Sequence, residues 1–165
     1  FLVFGKRATI GIYRELQRQN NIPRHMTFET NGTQKLVPDF IDWATQIQDT
    51  TEIFFSVSPK LYSVSGEPSE RAIKPEIVQS YRNISSKGQL RFVVGAQQEQ
   101  WDELEHVIEQ FRGVGVDWPV WIMPVGAREE EQVSSAGEIA TKAFQRGYNV
   151  ATRVHVYLFG NAIGT

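Results

Sequence analysis

Polar and small residues gather directly after apolar, strand-sized runs in this chain, and chemistry would sit there. Glu29-Thr30-Asn31-Gly32-Thr33 follows one such run and Ser56-Val57-Ser58-Pro59-Lys60 closes the next. Gly95-Ala96-Gln97-Gln98 and Met123-Pro124-Val125-Gly126 follow two more, and His155, Gly160 and Asn161 lie in and after the last. A carboxylate at Glu29 has two readings: it accepts both hydroxyls of a ribose, or it pairs with a neighbouring Lys or Arg. Lys60 sits in a Ser-Pro-Lys loop, where its ammonium either meets a ligand carboxylate or is simply solvated. Alternation along Val154–Leu158 puts His155 on the face opposite Val154 and Val156. There it either faces a ligand or is a hydrogen-bonded core histidine. His25 and His106 fall at an element edge and on a helix surface. The three histidines share no metal-ligand spacing, and no nucleophile elbow or Ser/His/Asp signature is present.

The elements that must position these residues follow from hydrophobic periodicity. Phe1–Phe4 reads as the end of a buried strand. Ala8–Asn20 reads as an amphipathic helix carrying Ile12 and Leu16. His25–Thr30 is a short strand closed by the Asn31-Gly32 turn signal. Val37–Gln48 is a helix with Pro38 in its first turn, where proline is tolerated, and an apolar stripe of Phe40, Trp43, Ala44 and Ile47. Glu52–Val57 is a strand, Ser58–Ala72 a long loop, and Pro75–Ile84 a helix. Gln89–Val94, Trp118–Met123 and Val150–Phe159 are further strands. The helices between them are Trp101–Phe111 and Arg128–Arg146, the latter with Val133, Ile139, Ala143 and Phe144 inward.

Strict alternation of strand and helix predicts an α/β fold with parallel strands joined by right-handed crossovers. An open doubly wound sheet and a complete or partial βα barrel both satisfy it. No G-x-G-x-x-G or Walker loop is present, which weighs against the nucleotide-binding doubly wound folds. In either architecture the ligand lies beyond the carboxyl ends of the strands, where the polar groups collect.

With 165 residues, 41% hydrophobic and 22% charged, the chain reads as one globular domain over residues 1–165. No apolar run reaches the roughly 18 residues of a membrane helix. Lys6 and Arg7 interrupt any leader-like apolar start, so the expected compartment is the cytoplasm. The net charge of −2 argues against wholesale nucleic-acid binding. There is no cysteine. Disulfides, thiolate zinc sites, cysteine nucleophiles and a Cys-ligated iron–sulfur cluster are therefore excluded within these residues.

Five blocks, in this order and spacing, resemble 7-carboxy-7-deazaguanine synthase, a radical S-adenosylmethionine (SAM) family of 7-deazapurine and queuosine biosynthesis. They are Glu29-Thr30-Asn31-Gly32-Thr33, Phe55-Ser56-Val57-Ser58-Pro59-Lys60, Leu90-Arg91-Phe92-Val93-Val94, Met123-Pro124-Val125-Gly126 and His155-Val156-Tyr157-Leu158-Phe159-Gly160-Asn161. The resemblance implies a partial βα barrel of about six parallel strands and a lyase. Its reaction turns 6-carboxy-5,6,7,8-tetrahydropterin into 7-carboxy-7-deazaguanine with loss of ammonia. It implies SAM, a [4Fe–4S] cluster and Mg²⁺ as cofactors, a homodimer, and an electron donor such as flavodoxin, with no membrane or nucleic-acid partner. By position, Glu29, Thr30 and Asn31 match the segment at the SAM ribose and sulfonium. Ser58 and Lys60 match the segment at its amino-acid end, and Met123 resembles a wall for the adenine. His155 resembles the histidine facing the pterin, and the Thr165 carboxylate matches the short tail that approaches the substrate.

The chain departs from the family at two places. The three-cysteine cluster loop is missing, and Gly5 runs straight into Lys6-Arg7 where Gly-Gly-Glu-Pro is expected. The domain is therefore read as short of these segments on its N-terminal side. The alternative is a cluster-free ligand-binding or regulatory barrel derived from the same family.

Overall fold

A computed structural model describes residues 2–126 and 129–152. Its elements are α1 (Leu2–Arg18), β1 (His25–Thr30), α2 (Pro38–Ile47), β2 (Glu52–Val57), α3 (Tyr62–Ser65), α4 (Ser69–Ala72), α5 (Pro75–Ile84), β3 (Gly88–Val94), α6 (Gln98–Gly113), β4 (Val120–Pro124), α7 (Glu129–Gln145) and β5 (Asn149–Val150). The five strands form one all-parallel sheet in the order β1-β2-β3-β4-β5. The fold is α/β, and the described strand order contains no reversal. A doubly wound sheet would show such a reversal, and none is found among the described residues.

Neighbouring parallel strands joined by right-handed crossovers keep their helices on one face of the sheet. The burial pattern agrees. In β3, Gly88, Leu90, Phe92 and Val94 are buried and alternate with the half-buried Gln89, Arg91 and Val93. Ile53, Phe55 and Val57 of β2 and Val120 and Ile122 of β4 point to the same buried side. There they meet Phe40, Trp43, Ala44 and Ile47 of α2, Ile77, Val78 and Tyr81 of α5, and Trp101, Leu104 and Phe111 of α6. Phe55 lies between two rings, stacked on Tyr81 at 5.0 Å and on Trp118 at 6.1 Å. The Trp118 ring passes directly over Gly88, where an added Cβ would come within 2.5 Å of it. The helices continue as a layer: α1 packs on α2, α2 on α5 and α5 on α6. Arg146 at the end of α7 pairs with Glu105 and lies over the Trp101 ring of α6.

Several expectations are corrected. Leu2–Phe4 belongs to α1 rather than to a strand. A short apolar run has no period of its own, and only Gly5, with no proline, separates it from the helix-favouring Lys6-Arg7-Ala8, so it joins the helix that follows. In α1 from Ala8 onward the buried residues are Ile10 and Tyr13, while Ile12 is 62% exposed. At about 100° per residue Ile12 falls on the far side from Ile10. Phe144 of α7 is likewise exposed, whereas Ile139 and Ala143 are buried as expected. The supposed loop Ser58–Ala72 contains the short helices α3 and α4. α6 is longer than expected at both ends and takes in Gly113. Of the sixth expected strand, Val150 lies in β5, and Arg153–Phe159 is outside the described residues. Among the described residues no helix is long and apolar enough to cross a membrane.

Candidate functional site

The other face of the sheet is covered by no described helix, and it carries the alternate residues. Thr27 and Glu29 of β1, Phe54 and Ser56 of β2, Gln89 and Arg91 of β3 and Trp121 and Met123 of β4 share this face through the register of the ladders. Glu29 lies opposite Ser56, Ser56 opposite Gln89, and Arg91 opposite Trp121. A pocket of about 500 Å³ opens on this face at the carboxyl ends of β1 and β2. That is an ordinary size for a small-molecule site, where roughly 300–1,000 Å³ is usual.

One wall is the turn after β1. The Thr30 hydroxyl accepts from Gly32 N–H at 3.1 Å, and Asn31 Oδ1 accepts from the amide and hydroxyl of Thr33 at 3.2 and 2.8 Å. This is an Asx turn, the reason Asn is favoured there. Gly32 has φ +82°. A side chain on it would also press within 2.9 Å of Val57 and 3.0 Å of Val78, so only glycine fits. The turn is further held by Tyr81, whose hydroxyl donates to the Gln34 carbonyl. Burial pushes the Tyr81 phenol above its usual range, against the lowering influence of its hydrogen bonds to Thr30 and Gln34.

The second wall is the segment after β2. Ser58 N–H donates to the Thr30 carbonyl at 2.7 Å, extending the ladder past the end of β2. Lys60 is exposed between the buried Pro59 and Leu61. The loop is fixed from below by Glu103 of α6. Its carboxylate accepts from the amides of Tyr62 and Ser63 at 2.7 and 2.9 Å and from the Ser63 hydroxyl at 2.5 Å. It thereby satisfies amides at the start of α3 that have no intrahelical partner.

Arg91 forms the floor. Its NH1 lies 3.4 Å from Glu29 Oε1 and 3.4 Å from Ser56 Oγ, and its NH2 lies 3.0 Å from Met123 Sδ. Gln89 Nε2 donates to Ser56 Oγ at 3.0 Å.

The residues singled out from sequence are thus brought together in large part. Glu29, Thr30, Asn31, Ser58 and Lys60 all line the one pocket. Met123 is beside it, buried and reached through Arg91. His155 and Thr165 lie outside the described residues. Thr27, Ser56 and Arg91 also line the pocket; the sequence reading passed over Thr27 and, though it placed Ser56 at a strand end and Arg91 in a matched block, gave neither a role. The available signal was period two. Arg91 is a charged residue inside an apolar strand, and attention to strand ends passed over it. Of the two sequence readings of Glu29, the ion pair with a neighbouring Arg is present, though long.

Among the described residues no group of three or more His, Cys, Asp and Glu side chains could hold a metal ion. No protein-family model, curated protein or solved structure matches the chain.

Proposed function

We propose that this chain is the SAM- and pterin-binding part of a radical SAM lyase of the 7-carboxy-7-deazaguanine synthase kind, built on a partial βα barrel. The observation that carries this reading is the convergence of Glu29, Thr30, Asn31, Ser58 and Lys60, from two separate segments, on one pocket at the strand carboxyl ends. The donor set suits SAM. The Glu29 carboxylate, 76% exposed at the pocket, can accept two ribose hydroxyls, and Lys60 and Ser58 can meet the amino-acid carboxylate. The sequential strand order supports the barrel, since helices on one face leave the other to line an interior.

The cluster does not fit these residues. A [4Fe–4S] centre is held by thiolates, and the chain has none. Binding and orienting SAM and substrate is therefore the work assigned to these side chains, and no radical step is derived through them. The same observation favours a second reading, a cluster-free ligand-binding barrel of the same descent.

Titration of the purified chain with SAM by calorimetry tests the binding claim. Saturable binding is expected, weakened roughly tenfold by Glu29→Gln and by Lys60→Ala, since each removes a charge-assisted hydrogen bond. Absence of binding at millimolar SAM would sink the proposal. The intact mass of the protein isolated from its source separates the two readings. About 18.8 kDa favours the cluster-free barrel, and several kDa more favours the lyase.

A further inference from the structure

β1 lies at one edge of the sheet and pairs with β2 alone among the described residues. Glu52 N–H donates to the Arg24 carbonyl and Ser58 N–H to the Thr30 carbonyl. The even-numbered residues of β1 are therefore turned toward β2. In a parallel ladder the amide and carbonyl of one residue point the same way, so those of His25, Thr27 and Glu29 face the free edge. Among the described residues no backbone group pairs with them. Such an edge is a template for another strand, and proteins ordinarily blunt it with lysine, proline or a bulge. His25–Thr30 contains no lysine, no proline and no residue of positive φ. His25, Thr27 and Glu29 are exposed, and Met26 and Phe28 are half-buried.

We propose that this edge pairs with the same edge of a second copy of the chain, antiparallel about a twofold axis at Thr27. A twofold contact must be self-complementary, and this edge is. With Thr27 opposite Thr27 of the second copy, each His25 stands opposite a Glu29, and a base meets an acid twice on the open face. Each Met26 stands opposite a Phe28, which gives two apolar pairs on the helix face. Other registers lose this match. One step either way sets His25 or Glu29 against Thr27, and a further step sets it against its own copy. The helix layer agrees. Its packing runs α1, α2, α5, α6, so α1 is the outermost helix on the β1 side. An axis perpendicular to the sheet keeps both helix layers on one face and brings α1 beside α1 of the second copy. Ile12, exposed on the side of α1 away from the buried Ile10, is the apolar residue this contact would cover. Thr27 and Glu29 also line the pocket, so the second copy would set its His25 at the rim, next to Glu29. The inference uses only β1 and the helix layer, and does not rest on which ligand fills the pocket.

Sedimentation equilibrium of the purified chain across the micromolar range tests this. A species of twice the 18.8 kDa chain mass is expected to grow with concentration. Thr27→Pro removes both hydrogen bonds at the axis yet spares the ladder to β2, because the lost N–H faces outward and an edge strand tolerates proline there. Dimer affinity is expected to fall roughly 10- to 100-fold, as for two lost hydrogen bonds, with cooperative urea unfolding retained. Glu29→Lys, which sets like charges opposite each other, is expected to weaken the dimer roughly three- to tenfold. Adding His25→Glu to that variant exchanges the two signs and should restore it. A chain that stays monomeric leaves the edge to a strand of some other protein and overturns the proposal. A dimer that Thr27→Pro and Glu29→Lys leave intact overturns it too, since the interface would lie elsewhere. If Thr27→Pro does not unfold cooperatively, the charge exchange decides alone. Recovery in the double variant supports the register, and no recovery overturns it.

Discussion

The two faces of the sheet are made from the same strands, one residue apart, and they are chemically opposite. Toward the helices stand Phe55, Leu90, Phe92 and Ile122, each fully buried and touching other apolar side chains. Toward the open side stand Glu29, Ser56, Gln89 and Arg91, joined by hydrogen bonds that are few and partly long. Strands of an all-parallel sheet are ordinarily apolar on both faces because both are covered. Here period-two alternation gives one face to the core and the other to polar groups. The difference separates two tasks. The helix face holds the fold together by burial, and the open face spends polar groups where they add little to stability but can meet a ligand.

The sharpest way to break that comparison is a pair of adjacent truncations in β2. Phe55→Ala removes a fully buried ring that stacks on Tyr81 and Trp118. A loss of about 3–5 kcal/mol of unfolding free energy is expected, from transfer of the ring plus the cavity left behind. Ser56→Ala, one residue on, removes only a hydroxyl shared by Gln89 and Arg91. A loss of about 1 kcal/mol or less is expected. Urea denaturation of both variants measures the contrast. Comparable losses would mean that the open face also carries stability, and the division of labour would be wrong.

How much of this was readable in the residues differs between the faces in the same way. The helix face was largely legible, because apolar residues repeat at helical and strand periods. Phe40, Trp43, Ala44 and Ile47 were identified as a stripe and are all buried. The misses there are residues whose period was ambiguous: Leu2–Phe4 is too short to show one, and Ile12 and Phe144 are apolar yet face outward. On the open face, strand ends were legible because polar residues after apolar runs mark the mouth. The role of Arg91 was not, nor were the partners of Ser56, because both depend on register. Ser56 stands opposite both Glu29 and Gln89, and no local pattern in β2 announces those neighbours. Glu103 was equally hidden. It looks like one more acid on a solvated helix, and only the tertiary fold brings it beneath the Lys60 loop.

Gly32 sharpens the comparison because it sits where the faces meet. It belongs to the turn that walls the pocket, yet a side chain added there would run into Val57 and Val78 of the core. Gly32→Ala therefore meets two penalties at once, a left-handed φ of +82° and two close contacts. A loss of roughly 1–3 kcal/mol is expected from strain of this kind. Under the proposed function SAM affinity is expected to fall with it, because Thr30 and Asn31 must shift. Denaturation and SAM titration of the same sample measure both effects. Stability lost without any change in affinity would show that the turn is a core feature and not a wall of the site.

Tyr81 supplies the smallest effect and the most specific one, since its ring belongs to the core and its hydroxyl to the pocket wall. Burial raises its pKa above the usual value near 10, so the folded state prefers the neutral phenol. The sign follows from linkage. Below the unfolded-state value both states are protonated and the contribution is fully present. As pH rises through and beyond the unfolded value the unfolded chain releases its proton first, and stability falls until the folded value is passed. Tyr81→Phe keeps the stack on Phe55 but loses the hydrogen bond to Gln34. At neutral pH a loss of about 1 kcal/mol is expected. Above pH about 10 the gap between variant and wild type should narrow, because the variant has no phenol there to ionise. Tyr148, also raised chiefly by burial, remains in both proteins and keeps part of the alkaline decline. Denaturation curves from pH 7 to 11 measure it. A gap that stays constant across that range would mean that the Tyr81 hydroxyl is not held in the buried bond that ties the core face to the pocket.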